Sequence, residues 1–411
     1  MQINPWFIAI AVGLFVVWKI DFFATLLNMK SLDPEVPAGF SGLIDQEKYE
    51  LSQDYTRTKA VYGIGESIFD LVVLFAFWWL GGFGWLDNWV REFGFGPIVT
   101  GLIFISALMV GQQLLALPFN LYETFVIEEK FGFNKTTIGT YALDLVKGLA
   151  LGAILGLPLL ASILWLFENL SMAWLWGWIL MTVFSLFLAY VAPTWIMPLF
   201  NKFEPLGEGE LKDEITAMAA KCDFPLKEVS IMDGSKRSAK SNAFFTGFGE
   251  NKRIALFDTL VEKHTTDELV GVLAHEIGHF KKKHIVKGMI SGIIASGVVF
   301  FLIGLMMNNR GLHEAFGVAE TSVYVSLVLF MILMQPVQHV LSVVENVFSR
   351  KHEFEADAYA AEVTGKPEVM ADALKKLSKD NLSNLTPHPF YVFLNYSHPP
   401  VPERVEALVG E

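Results

Sequence analysis

Apolar residues in this chain run together rather than alternating or recurring at helical spacing. Nearly unbroken hydrophobic stretches lie near 6–27, 64–85, 98–118, 146–167, 172–195, 286–308 and 322–345. Each is close to the roughly 20 residues a helix needs to cross the hydrocarbon of a bilayer. Seven transmembrane helices are therefore expected, the fourth and fifth joined by a short turn at Glu168-Asn169. The polar remainder gathers into modest connections, one large insert and a tail. The chain thus divides into residues 1–195 (five spans and their loops), 196–285 (the insert), 286–345 (two spans) and 346–411 (the tail). No internal repeat or low-complexity segment interrupts this pattern.

Lys and Arg then supply the sidedness. The N-terminus and the second, fourth and sixth connections hold only Arg91 and Arg310, whereas the first holds Lys30, Lys48, Arg57 and Lys59 and the third Lys130 and Lys135. Because positive charge collects on the cytoplasmic side, the N-terminus is expected outside or in a lumen, with the insert and tail in the cytoplasm. The membrane would be the plasma or inner membrane of a bacterium, or the endoplasmic reticulum of a eukaryote. Two spans separate insert from tail, so residues of both can meet on one side of the bilayer.

Composition agrees with a multi-pass membrane protein. Of 411 residues, 53% are hydrophobic and 18% charged, against about 25% charged in soluble domains. The 11 Trp tend to flank the apolar runs, as interfacial residues do. A net charge of −12, with no basic patch interleaved by aromatics, argues against nucleic acid as a partner. The single cysteine, Cys222, excludes an internal disulfide and a CxxC metal knuckle; it is expected to pack as a small apolar residue. The first apolar run lacks a basic start and a small-residue cleavage site, so it reads as a span rather than a signal peptide, and the closing ALVGE carries no retention or lipidation signal.

The chemistry concentrates in GVLAHEIGHFKKKH, residues 271–284. Thr265 and Glu268 form a capping box that opens a helix. On it His275 and His279 lie one turn and roughly 40° apart, so two imidazoles can converge on one ion. Glu276, offset by one residue, can reach a water on that ion without ligating it. His284 projects to the opposite side of a continuous helix and is excluded. Taken alone, the pattern also fits an amphipathic helix with two incidental histidines. A third ligand comes from SRKHEFEADAYA, residues 349–360, just past the seventh span. There Glu353 and Asp357 share a helical face with Ala356 and Ala360, while Glu355 falls about 200° away on what reads as a solvated face. Glu353 is the preferred ligand. Asp357 becomes an acceptor for the N–H of a ligating histidine, and Asn346, two turns before Glu353, can join that support.

With these pieces in place the chain resembles the integral-membrane CAAX prenyl protease type 1 family of zinc metalloproteases. The likeness rests on FVIEEKFGFNKTT (125–137), SKRSAKSNAFFTGFGENKRIALFDTL (235–260), LAHEIGHFKKKH (273–284), SRKHEFEADAYA (349–360) and NYSHPPVPERVEAL (395–408), in that order. It implies an all-α integral membrane protein. Seven helices would form an α-barrel around a water-filled chamber, with a cytoplasmic, zincin-like catalytic part that contains a small β-hairpin. It further implies one Zn²⁺ per chain, ligated by His275, His279 and Glu353, with Glu276 as general base. SNAFFTGFG followed by RIALF reads as the hairpin; its edge would hold the substrate backbone at Asn242 and Ala243. His398 would donate to the oxyanion, and Arg404 would support the site or bind substrate.

His264, His313, His352 and His388 read as loop or surface residues. His339, Asp70 and Lys147 sit within spans and are expected to face the chamber or a buried partner. The resemblance makes the expected partners the lipid bilayer and a peptide, in particular a prenylated CAAX protein from which the last three residues are removed. A membrane quality-control endopeptidase acting on unprenylated peptides is the other enzymatic reading. A seven-span transporter or receptor with an incidental metal site is the reading from a different class, and it predicts no hydrolysis.

Overall fold

The computed structural model describes residues 2–246 and 252–410. Among the described residues, seven helices are long and apolar enough to cross a membrane: Pro5–Lys30, Gln46–Trp79, Pro97–Lys130, Ile138–Asn169, Ala173–Phe200, His284–Met306 and Val323–Thr364. They correspond one for one with the seven apolar runs, but several extend well beyond them. The second helix starts at Gln46 on an Asp45 cap, so Lys48, Arg57 and Lys59 ride on a helix rather than a loop. It stops at Leu80, where Gly81 turns in the left-handed region at φ 76°. The third, fourth and fifth helices each contain a π turn, at Glu123–Ile127, Gly152–Gly156 and Ala192–Ile196. In the last two the cause is local. Pro158 and Pro198 would drive their rings into the carbonyls of residues 154 and 194, and both carbonyls lie within the π turns that displace them.

At the end away from the insert the helices converge on an apolar core of Phe7, Trp78, Phe83, Phe104, Phe316 and Tyr324. Trp78 stacks on Phe316 at 4.3 Å and donates from its indole to the Ala315 carbonyl. The apolar stretch of the second span has none of its residues buried. A cavity of about 630 Å³ lies between the first and second spans and residues 381–396. His339 Nδ1 pairs with Asp21 Oδ2 at 3.7 Å, Lys147 donates to the Leu199 carbonyl, and Asp70 is exposed. Pro336 of the seventh helix lies on Gly13 of the first, where a Cβ would approach its ring to 2.9 Å.

The insert carries more β structure than the expected hairpin. Strands β1 (Phe203–Pro205), β2 (Leu226–Met232), β3 (Ala243–Thr246) and β4 (Lys252–Phe257) form one sheet in the order β1-β2-β4-β3. β2 and β4 are parallel and the other pairs antiparallel. The hairpin is β3–β4, its turn at 247–251 lies outside the described residues, and β3 is the edge. One sheet face, with Val229, Ile254 and Leu256, packs on Leu269, Leu273 and Ile277 of the helix Thr266–Lys281. Cys222 belongs to the same core, which accounts for it as a small buried residue.

The seventh helix runs 42 residues without a break, from its Ser322 cap to Gly365 in the left-handed region. Residue 345, where the last span was expected to end, falls inside it. The Glu353 backbone is therefore rigidly continuous with a membrane span.

Candidate metal centre

The helix Thr266–Lys281 begins as its sequence dictates. Thr265 accepts from the Glu268 amide, Glu268 accepts from the Thr265 amide, and Lys376 donates to the same carboxylate at 2.9 Å. About three turns further on, Gly278 sets how closely this helix approaches the seventh. A Cβ there would stand 3.1 Å from the Ala356 backbone and 3.3 Å from Tyr359 Cβ. Ala356 and Ala360 are fully buried in the seam. Small residues on both sides are what allow ligands on two helices to share one point.

That point is formed by His275, His279 and Glu353, whose ligating atoms all lie within 4.8 Å of one another. The two Nε2 atoms are 3.1 Å apart, and Glu353 Oε1 is 3.2 Å from His279 Nε2. Each imidazole is also held from behind. His275 Nδ1 is 2.8 Å from Asp357 Oδ1, and His279 Nδ1 is 3.0 Å from His284 Nδ1. With both distal nitrogens occupied, both Nε2 atoms are directed at the common point, which is the chemistry a metal requires. The residues present fit a divalent ion bound by two imidazoles and a carboxylate. Gly278→Val is expected to push the two helices apart and weaken metal binding by about 10–100-fold. Competition with a chelator, run beside a thermal melt, measures it.

His284 and Glu355 correct the sequence reading. The helix ends at Lys281, Lys283 adopts φ 59°, and His284 starts the next helix on the reversed chain. His284 is not among the converging ligand atoms, but it lies beside His279 rather than opposite the ligand face, because the helix is not continuous here. In the structure it stacks on His352 at 4.0 Å and its Nε2 lies 3.0 Å from Glu355 Oε2. Glu355 is thus bonded to the site's support rather than freely solvated.

Of the two roles expected of Arg404, its contacts are those of support for the site. Its side chain is buried, with Nε donating to Asp357 Oδ2 at 2.7 Å, Nη2 to Asp357 Oδ1 at 2.6 Å, and Nη1 3.3 Å from Glu353. It braces the two carboxylates rather than standing free for substrate. Burial works against its charge, but Asp357 more than offsets this and raises its pKa. For His275 burial favours the neutral ring, yet the bonds to Asp357 and Glu353 push it to about 9. Asn346 is a second correction: it donates to the Leu394 carbonyl, two helical turns short of the ligands, and so ties the tail to the seventh helix.

Glu276 stands beside the ligands outside their set, and burial raises its carboxyl above the usual range. His398 is exposed, with Nε2 3.5 Å from Glu353 Oε1 and Nδ1 2.9 Å from Ser397 Oγ. Asn242 is exposed and its Oδ1 accepts from the Ala243 amide at the start of β3. Of the histidines read as surface residues, His264 and His313 are buried, each bonded to a carbonyl one turn back, while His388 caps the helix Pro389–Asn395.

Comparison with known proteins extends over the whole chain. Residues 25–202 match the family model described as CAAX prenyl protease N-terminal, five membrane helices, and residues 205–411 match peptidase family M48. The chain is 36% identical to the CAAX prenyl protease 1 homolog of Arabidopsis thaliana over 98% of both sequences. It is 34% identical to CAAX prenyl protease 1 of Saccharomyces cerevisiae, covering 98% of this chain and 95% of that one. The fold matches the crystal structure of S. mikatae Ste24p with a TM-score of 0.94 at 32% identity, covering 99% of this chain and 100% of that one.

Proposed function

The chain belongs to peptidase family M48, joined to the five-helix membrane part of CAAX prenyl proteases, and from that premise we propose that it is a zinc endopeptidase cleaving near the C-terminus of prenylated CAAX proteins. It is a multi-pass membrane metallopeptidase. The observation that carries the proposal is the convergence of His275, His279 and Glu353 from two helices, each imidazole held from behind. One zinc held by these three would supply Lewis acidity for the scissile carbonyl and an acidified water at neutral pH.

The remaining work falls to the chain's own side chains. Glu276 takes the proton of the attacking water and returns it to the leaving amine. Its raised pKa suits both halves of that exchange, because a carboxylate of ordinary acidity is a weak base. His398, exposed at the rim, donates to the oxygen on which negative charge develops. β3 offers a strand edge beside the ligand helix, and the substrate backbone adds to it near Asn242 and Ala243. Arg404 and Asp357 fix the His275 ring and Glu353. The Lys and Arg distribution supports an insert and tail in the cytoplasm, where a lipidated C-terminus would arrive with its prenyl group in the bilayer.

A cleavage assay on purified protein tests this, comparing a farnesylated CAAX peptide with its unprenylated form. Release of the last three residues is expected to stop with a chelator, return with zinc, and run faster on the farnesylated peptide. Undiminished cleavage after metal removal would end the zinc reading. Equal rates on both peptides would leave a membrane protease without lipid selectivity.

A further inference from the structure

A cavity of about 630 Å³ lies between the first and second spans and residues 381–396. At one end the Asn381 side chain accepts from the Ser241 amide at 3.1 Å and donates to the Ser241 carbonyl at 3.3 Å, one residue before Asn242 and the start of β3. At the other end Asn395 and Tyr396 line it, and two residues later His398 stands 3.5 Å from Glu353. Its wall is thus tied at Asn381 to the residue before the sheet edge, and at Tyr396 lies two residues from the rim of the metal site.

The lining mixes apolar side chains, Trp18, Phe22, Ile64 and Leu382, with hydroxyls and amides already bonded within the protein, such as Thr25 to the Asp21 carbonyl, Thr56 to the Ser52 carbonyl and Asn384 to Asn28. Tyr391 and Tyr396 add ring faces, and burial raises both hydroxyls, Tyr396 to about 12, so they stay neutral. The two charged residues in the wall have partners. Lys59 pairs with Glu123 and Glu128, and Asp21 faces His339 at 3.7 Å. Cavities of a few hundred Å³ with a few placed polar groups are typical ligand sites. The apolar and aromatic walls, with their charges balanced, suit the uncharged side chains of an extended peptide.

We propose that this groove binds the extended, uncharged polypeptide segment on the N-terminal side of the cleaved bond. The assignment rests on the protease reading above. It takes the N-terminal side because a CAAX substrate offers only a short leaving peptide on the other.

Gly63 makes the groove testable. It lines the cavity from the second helix, and a Cβ there meets nothing within 4 Å, so Gly63→Phe adds bulk to open space without overpacking a core. Gly65, on the same helix, also has nothing within 4 Å but is not part of the wall. Gly65→Phe is the control. The assay compares a minimal farnesylated CAAX peptide with one extended on its N-terminal side by a few uncharged residues. For the unaltered protein, extension is expected to lower KM by about tenfold, worth about 1.4 kcal/mol. Gly63→Phe is expected to abolish that gain while leaving zinc content and the minimal peptide's kinetics unchanged, and Gly65→Phe to preserve it. A full gain in Gly63→Phe, no gain in the unaltered protein, or equal losses on both peptides would each overturn the groove assignment. If the unaltered protein cleaves neither peptide, the protease reading itself fails. Should Gly63→Phe not retain zinc, Thr25→Phe from the opposite wall carries the same test.

Discussion

Glu276→Gln is expected to abolish most turnover, by about 10²–10⁴-fold, without loss of metal. The two parts of that expectation have separate grounds. Glu276 is one residue past a ligand and outside the set of atoms that converges within 4.8 Å, so an isosteric amide leaves His275, His279 and Glu353 in place. Glutamine fills the same volume in a nearly buried position, which keeps the cavity term small. What it cannot do is accept a proton. Metal analysis and peptide release on the same preparation read the two parts. His279→Ala provides the contrast, since it should lose metal and turnover together. A Glu276→Gln enzyme with unaltered turnover would remove Glu276 from the chemistry, and one that had lost its metal would make it a support for the ligands instead.

The parts of the site that were legible in the sequence are those fixed by a local repeat. His275 and His279 follow from helical spacing, and Glu353 and Asp357 from the same rule on a second helix. Their meeting followed from counting spans, because two crossings return the chain to the same side. What escaped depended on where a helix stops. His284 turns toward His279 only because Lys283 takes a left-handed conformation. Nothing in the Lys281-Lys282-Lys283 run marks which lysine will do so. Asn346 was misplaced by the opposite failing: it does lie on the right helix, but helical phase says nothing about which neighbour is nearer, and the tail reaches it first. The sheet was under-read because β1 has three residues and β2 pairs in parallel with a strand some twenty residues later, which leaves no turn signature of the kind that marks β3–β4.

Replacing Arg404 tests how far the support of the site matters. Arg404→Met is expected to cost about 3–5 kcal/mol of stability, because it leaves Asp357 and Glu353 as two buried carboxylates without their shared cation. Metal affinity is expected to fall by about 10–100-fold, since Asp357 then has nothing to hold it against His275. Lysine is not an adequate substitute. The guanidinium donates through two nitrogens to both oxygens of Asp357 while a third faces Glu353, and a single ammonium cannot match that fork. The double variant Arg404→Met with Asp357→Leu separates the two effects. Removing the carboxylate that most needs the cation should restore much of the stability, yet the His275 ring, now without an acceptor at Nδ1, should still bind metal weakly. Thermal melts and zinc competition on the single and double variants provide the comparison. If the single variant melts and binds metal as the unaltered protein does, Arg404 does not brace the centre, and its burial beside Glu353 is better explained by contact with substrate.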